Sequence, residues 1–280
     1  MKSNKSKQTL SKIGFVLALG GLLFFALFPL FWILLTSFKS NRDLFAMPPK
    51  IFFVPTLEHW NYVIYNSEFL HYYRNSIIIA ISVGLLVMVI ATMAAYSLAR
   101  GRYKARDNVA YFILSQRMMP AVAVVLPIYM IFSNLRQLDK LTTLIFMNLA
   151  FNLPLSIWMI RGFIDSLEIE LEEAAVVDGT SWFGAFLRIG VPQIFPGLLS
   201  TVLLVFIYTI NEFFFALILS GTQSRPVSVA VQLFLPTGVR GTLFGEAAAA
   251  SLMIMLPCLV FAFFMQKYLV SGLSLGALKG

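Results

Sequence analysis

Five carboxylates, Asp165, Glu168, Glu170, Glu172 and Glu173, fall within nine residues, with no basic residue among them. Asp178 follows, and then Trp182, Phe183, Phe186 and Ile189 recur at helical spacing. An acidic surface beside an aromatic ridge suits a docking element, because aromatic side chains anchor protein interfaces. It equally suits a solvated acidic face whose rings pack on the chain's own helices, and the residues by themselves leave both readings open. Two further ionisable residues, Arg117 and Glu212, stand inside apolar runs. Charge in such a run is costly and marks function or pairing, so the two are candidates for a charge pair that holds their helices together near a transport path or for direct contact with cargo, or else for side chains that snorkel from a membrane edge. Asn148, Asn152 and Asn211 sit in similar runs and can bond between helices or bind hydroxyls.

Other chemistry finds no support. The chain has no G-x-x-x-x-G-K-[ST] loop to cradle ATP. Its two histidines, His59 and His71, have no cysteine company, so no metal site is expected. No serine–histidine–carboxylate set suggests itself, and Cys258 is the only cysteine. The chain is expected to be no enzyme and to hold no cofactor.

The elements that must position these residues follow from composition. Of 280 residues, 59% are hydrophobic and only 12% charged, where a soluble domain has about half and a quarter. The net charge of +8 is scattered between apolar runs instead of forming the stripe that nucleic acid requires. A spanning helix needs roughly 20 mostly apolar residues. Six stretches qualify, at 13–36, 76–99, 109–133, 141–160, 197–219 and 247–267. All must be helical, because lipid offers the backbone no hydrogen-bond partner. Pro120, Pro127, Pro154 and Pro257 are expected to interrupt or kink their spans. The first stretch is too long for a cleaved signal.

Basic residues set the orientation. Lys2, Lys5, Lys7 and Lys12 precede the first span, and Arg100, Arg102, Lys104 and Arg106 crowd the loop after the second. Both termini are therefore expected in the cytoplasm. Residues 1–12 form the N-terminal segment, 37–73 an external amphipathic loop rich in aromatics and prolines, 74–268 the transporter domain and 269–280 a cytoplasmic tail. The acidic, aromatic segment falls in the inner loop 161–196. It reads as a compact helical pair. Asp165 or Ser166 caps the first helix, Gly179 ends it in the left-handed conformation, Thr180 or Ser181 caps the second and Pro192 stops it.

Glu173-Ala174-Ala175, three residues, Gly179, nine residues, then Ile189-x-Val191-Pro192 resembles the "EAA" signature of the permease subunits of ATP-binding-cassette (ABC) importers. Only Val191, in place of leucine, departs from it. Arg117-Met118-Met119-Pro120 resembles the R-M-x-P of sugar permeases, and Asn211-Glu212-Phe213 their W-N-E-F, with Ile210 for tryptophan. The ending from Gly272 through Gly276 and Lys279 to Gly280 is similar to the G-L-T-x-G-A-V-K-G tail of the maltose-type "G" permeases.

The resemblance implies an all-α integral membrane fold of six transmembrane helices, the type I importer permease, in a bacterial or archaeal cytoplasmic membrane. It implies coupling through Glu173, Ala174, Ala175, Asp178, Gly179, Ile189 and Pro192. It also implies that the tail (Gly272, Gly276, Lys279) reaches toward the ATPase. The implied partners are a second permease, an ATPase dimer that holds ATP and Mg, and an extracytoplasmic solute-binding protein facing the loop 220–245. Sugar is the implied cargo, with amino acids or peptides as the alternative. A secondary transporter would show an inverted repeat with broken helices at matched positions, and none is evident.

Overall fold

The computed structural model describes residues 2–235 and 243–277, with side chains described for residue 12, 14–235, 243–264 and 266. Helix is the only repeating secondary structure among them. The chain runs through α1 (Lys2–Phe38), α2 (Asn41–Leu44), α3 (Glu58–Asn61), α4 (Phe69–Arg100), α5 (Arg106–Ser115) and α6 (Ala121–Asn134). It continues through α7 (Leu141–Asp165), α8 (Ile169–Val177), α9 (Trp182–Ala185), α10 (Val191–Asn211), α11 (Phe214–Leu219), α12 (Val227–Ala230) and α13 (Phe244–Ala277). Five of the described helices are long and apolar enough to cross a membrane, and α5 with α6 makes a sixth span if the bent pair is counted as one.

Residues 69–232 and 254–277 form one packed unit. Its core lies where α4, α7 and α10 meet, filled by Val83, Val87, Leu144, Ile160 and Leu198. On α4 the buried positions Tyr72, Ser76, Ile79, Val83, Val87, Ala91, Ala95 and Leu98 recur every three or four residues. The opposite face of α4 (Leu85, Val89, Met93) is just as apolar yet exposed. That reversal is expected of a helix whose outer solvent is lipid. Small residues Ala91 and Ala95 are fully buried, as close helix packing in membranes favours.

The described residues of 2–68 and 233–253 form a second unit. Here α3 packs by α1, and His59 is fully buried, with its Nδ1 3.1 Å from Glu246 and its Nε2 2.8 Å from the Lys39 carbonyl. A side chain at Gly245 would meet the His59 ring at 2.2 Å.

Several expected boundaries move. The third span is two limbs bent by 90°, not one kinked helix. Pro120 explains it: the residue before a proline is pushed out of the helical region, and Met119 is extended at φ −66°, ψ 126°. Pro127, Pro154 and Pro257 stay inside α6, α7 and α13 without ending them. The fifth span ends at Asn211, and after the extended Glu212 a separate α11 follows. The second span begins at Phe69, so the predicted loop to residue 73 is shorter.

Candidate docking element

The loop after α7 is a tight pair of helices, but it starts later than its sequence suggests. Neither Asp165 nor Ser166 caps α8, because α7 itself runs on through Asp165, with Ser166 as its C-cap. Arg161 explains the extra turn, pairing with Asp165 at 3.4 Å along the helix and with Asp107 of α5. Helix α8 starts after Glu168, which makes no side-chain cap. At its end Gly179 takes φ +92°, the left-handed conformation that glycine adopts at little cost. The Gly179 and Thr180 N–H groups donate to Val176 O and Ala175 O at 3.1 and 3.0 Å. Ser181 then caps α9, its hydroxyl accepting from Gly184 N–H at 3.1 Å. Pro192 does not stop the second helix. A π-helical turn, Phe186–Gly190, joins α9 to α10, and Pro192 sits in the first turn of α10, directly after it.

Glu172 separates itself from the other acids. It is 1% exposed, accepts from the Tyr96 hydroxyl at 3.0 Å and faces Arg100 at 3.4 Å. Arg100 also donates to Leu167 O at 3.1 Å. The Tyr96 ring stacks on Phe186 at 3.9 Å between centroids. Two residues at the end of α4 thus hold both helices of the loop. Tyr96, Arg100 and the inward turn of Glu172 went unread in the sequence. The available signal is that Ile169, Glu172 and Val176 share one helix face, which makes Glu172 a lone acid in an apolar stripe.

What remains outside is a mixed face. Glu168, Glu170, Glu173 and Asp178 are exposed and have no ion-pair partner among the described residues. Beside them Val177 is 85% exposed, Phe183 53%, Leu187 49% and Trp182 42%. Of the aromatic ridge, therefore, only Phe186 packs inward. Ala174, Gly179 and Pro192 are exposed, and Ala175 and Ile189 half-buried.

Arg117 and Glu212 are not paired. The Arg117 guanidinium donates to Phe151 O of α7 at 2.6 Å and lies over the Tyr208 ring of α10 at 5.3 Å. Glu212 accepts from the Phe215 and Ala216 N–H groups at 2.8 and 3.0 Å, capping α11. Each charge is satisfied by backbone instead of by the other. Arg117 still bridges helices, and it lines a cavity of about 310 Å³ with Phe132, Phe146 and Phe151. Asn152 bonds within α7 and reaches Thr209 of α10 at 3.4 Å. Asn148 and the exposed Asn211 bond back along their own helices.

A second polar cluster went unread. Asp139, with φ +56°, accepts from the N–H groups of Gly221, Gln223 and Ser224 and from the Ser224 hydroxyl, at 2.8, 3.2, 2.8 and 2.9 Å. Burial pushes its carboxyl upward, but these bonds outweigh burial and hold it below the ordinary carboxylate range. A Cβ at Gly221 would lie 2.5 Å from the Asp139 carboxylate. From the other side Asn75 donates to Gln223 O and Arg225 O at 2.8 and 3.1 Å. The predicted loop 220–245 is therefore pinned at its root, while its residues 236–242, Arg240 included, lie outside the described residues. So does Lys279 of the tail. Gly272 and Gly276 continue the backbone of α13.

The membrane-length helices α4, α7 and α10 share one core, and the pinned helical pair exposed between α7 and α10 suits the membrane component of a transport system. The chain belongs to the family of binding-protein-dependent transport system inner membrane components, whose family model matches residues 88–275. It is 36% identical over 286 residues to the trehalose/maltose transport system permease protein of Thermococcus litoralis, the match covering 100% of both chains. It is 33% identical to the diacetylchitobiose uptake system permease protein of Streptomyces coelicolor, covering 90% of this chain and 92% of that one. Its fold matches a chain of a bacterial ABC transporter involved in the import of the acidic polysaccharide alginate, with TM-score 0.78 at 21% identity over 94% of this chain and 97% of the other. The all-α importer-permease fold and the non-enzymatic, transporting nature of the chain follow from this membership.

Proposed function

We propose that the chain is one of two permease subunits of an ABC importer for a sugar, and that the helical pair α8–α9 is where it meets its ATPase. The observation that carries this reading is the exposed face of Val177, Trp182, Phe183 and Leu187 beside four unpaired carboxylates. Apolar surface of this kind marks an interaction site, and the free acids suit a basic rim on the partner. Sugar as cargo rests on the two relatives, whose names specify trehalose/maltose and diacetylchitobiose. ATP and Mg belong to the ATPase, and a solute-binding protein delivers cargo on the opposite side.

In this reading Glu173, Ala174, Ala175, Asp178, Gly179, Ile189 and Pro192 form or support the docking face. The tail carrying Gly272, Gly276 and Lys279 lies toward the same partner. Both termini are cytoplasmic, as the basic residues of the N-terminal segment and of the loop after α4 favour. ATP-driven closure of the ATPase dimer displaces α8–α9. That motion enters α10 through the unbroken π-helical turn and α4 through Glu172, Tyr96 and Arg100. Arg117, Asn148, Asn152, Asn211 and Glu212 then lie along the helices that move, as packing and gating residues.

The test is co-expression with the partner permease and ATPase, comparing wild type with Gly179→Asp and Glu173→Lys. ATPase co-purification is expected to fall at least tenfold in both while the two permeases still co-purify. Wild-type recovery in both variants would remove the docking role.

A further inference from the structure

Lys39 follows the 25-residue apolar stretch Gly14–Phe38 directly. It is 3% exposed. Its ammonium lies 4.7 Å from the Trp32 ring centroid and 5.5 Å from that of Phe53. Among the described residues no carboxylate stands within ion-pair distance of it. The nearest acid in sequence, Asp43, is committed elsewhere, to Lys50 at 2.6 Å and to the Ser40 hydroxyl at 3.1 Å.

An ammonium carries three donors and no acceptor. Burying one unpaired costs several kcal/mol, and contact with a ring face returns about 2 kcal/mol or more when desolvated without supplying a hydrogen-bond acceptor or a countercharge. An acidic group would satisfy this side chain, and there is room for one. Lys39 lines a cavity of about 450 Å³ whose other walls include Trp32, Ile33, Phe45 and Phe244. The hydroxyls on that wall, Thr36 and Ser251, already donate to Trp32 O and Ala247 O, so Lys39 is the principal donor available to an anion.

Position identifies the anion. The 25-residue apolar stretch Gly14–Phe38 of α1 is about 38 Å long, enough to cross the roughly 30 Å hydrocarbon core and enter the headgroup layer. The residue just past its end therefore lies at the level of lipid phosphates, on whichever side of the membrane that end falls. The apolar walls suit an acyl chain, and Phe45 and Phe244 stand exposed at the rim. The Asp43 carboxylate shares the wall, which disfavours a doubly charged free phosphate against the singly charged diester of a phospholipid. We propose that this cavity is a phospholipid headgroup site, with the lipid phosphate on the Lys39 ammonium.

The test is native mass spectrometry of the full chain, purified in mild detergent with its co-purifying subunits. Wild type and the control Lys140→Gln are expected to retain one more phospholipid per chain than Lys39→Gln, and Lys39→Arg to keep it. If Lys39→Gln is not recovered folded, Phe244→Glu, which places a carboxylate at the exposed rim, must lose the same lipid. After delipidation, added phospholipid should raise the unfolding midpoint of wild type and not of the variant, while inorganic phosphate at equal concentration does nothing. Equal lipid counts in wild type and the variants overturn the proposal. Equal protection by inorganic phosphate overturns the lipid as its source.

Discussion

The Tyr96 hydroxyl donates to the buried Glu172 carboxylate across 3.0 Å, joining the end of α4 to the middle of α8. Arg100, one helical turn further along α4, faces the same carboxylate. Removing Glu172 would strand a half-buried guanidinium, and breaking such a pair typically costs about 3–5 kcal/mol. Glu172→Ala is therefore expected to lower stability by about 3 kcal/mol, and Tyr96→Phe by about 1.5–3 kcal/mol, the loss of one bond to a charged group. Both should uncouple cargo-stimulated ATP hydrolysis from transport more than they reduce ATPase co-purification, because neither residue lies on the exposed face. Thermal unfolding together with the two assays checks this.

Gly179 permits a sharper test of the turn. No atom lies within 4 Å of where its Cβ would be, so any cost of a side chain there is a backbone cost. Gly179→Ala is expected to destabilise by about 1–2 kcal/mol, the penalty of the left-handed conformation. Gly179→Asn should be milder, since asparagine visits that region. Hydrogen exchange of the α8 amides would register the order Gly, Asn, Ala.

Asp139 gives a pH dependence with a definite sign. Its folded pKa lies below the unfolded one, so its contribution is present above the unfolded value, about 3.9, and is lost as pH falls through the folded value. Asp139→Asn should be less stable than wild type near neutral pH, and the gap should close as pH drops below about 4. Unfolding midpoints of both proteins across pH 3–7 measure it.

Arg117 and Glu212 use separate partners, so their substitutions should add. In a cycle of Arg117→Gln and Glu212→Gln the coupling is expected within about 0.5 kcal/mol of zero. A coupling of 2 kcal/mol or more would mean the two charges pair directly.

How far the sequence carries can be seen in these residues. Lipid-facing helices are apolar all round, so the spans stand out by length, and Gly179 and Ser181 announce their turn and cap through local chemistry. Asp139 and its partners Gly221–Ser224 are more than eighty residues apart, and no local pattern connects them. Glu172 shares the acidic look of its neighbours, and although its place in the apolar stripe of Ile169 and Val176 sets it apart, its partners Tyr96 and Arg100 are a tertiary fact. Arg117 and Glu212 look like a pair because unpaired charge in lipid is costly, but the Phe151 carbonyl of α7 satisfies Arg117, and the α11 N–H groups freed by the break at Glu212 satisfy Glu212. The right-angle bend follows from Pro120, although a proline within an apolar run does not reveal how sharply the chain will turn, as the unbroken α7 around Pro154 shows.

The most direct measurement is cross-linking from the docking face. Cys258 is the only cysteine, so a Cys258→Ser background carrying Val177→Cys presents one thiol, at the most exposed apolar residue of the α8–α9 pair. In the assembled transporter, a short bifunctional thiol reagent should join that position to a cysteine scanned across the groove of the ATPase, with yield changing when ATP is added. A control cysteine at Leu85, on the lipid-facing side of α4, should give none. Absence of any cross-link from Val177→Cys in a complex that still hydrolyses ATP and transports would contradict the account.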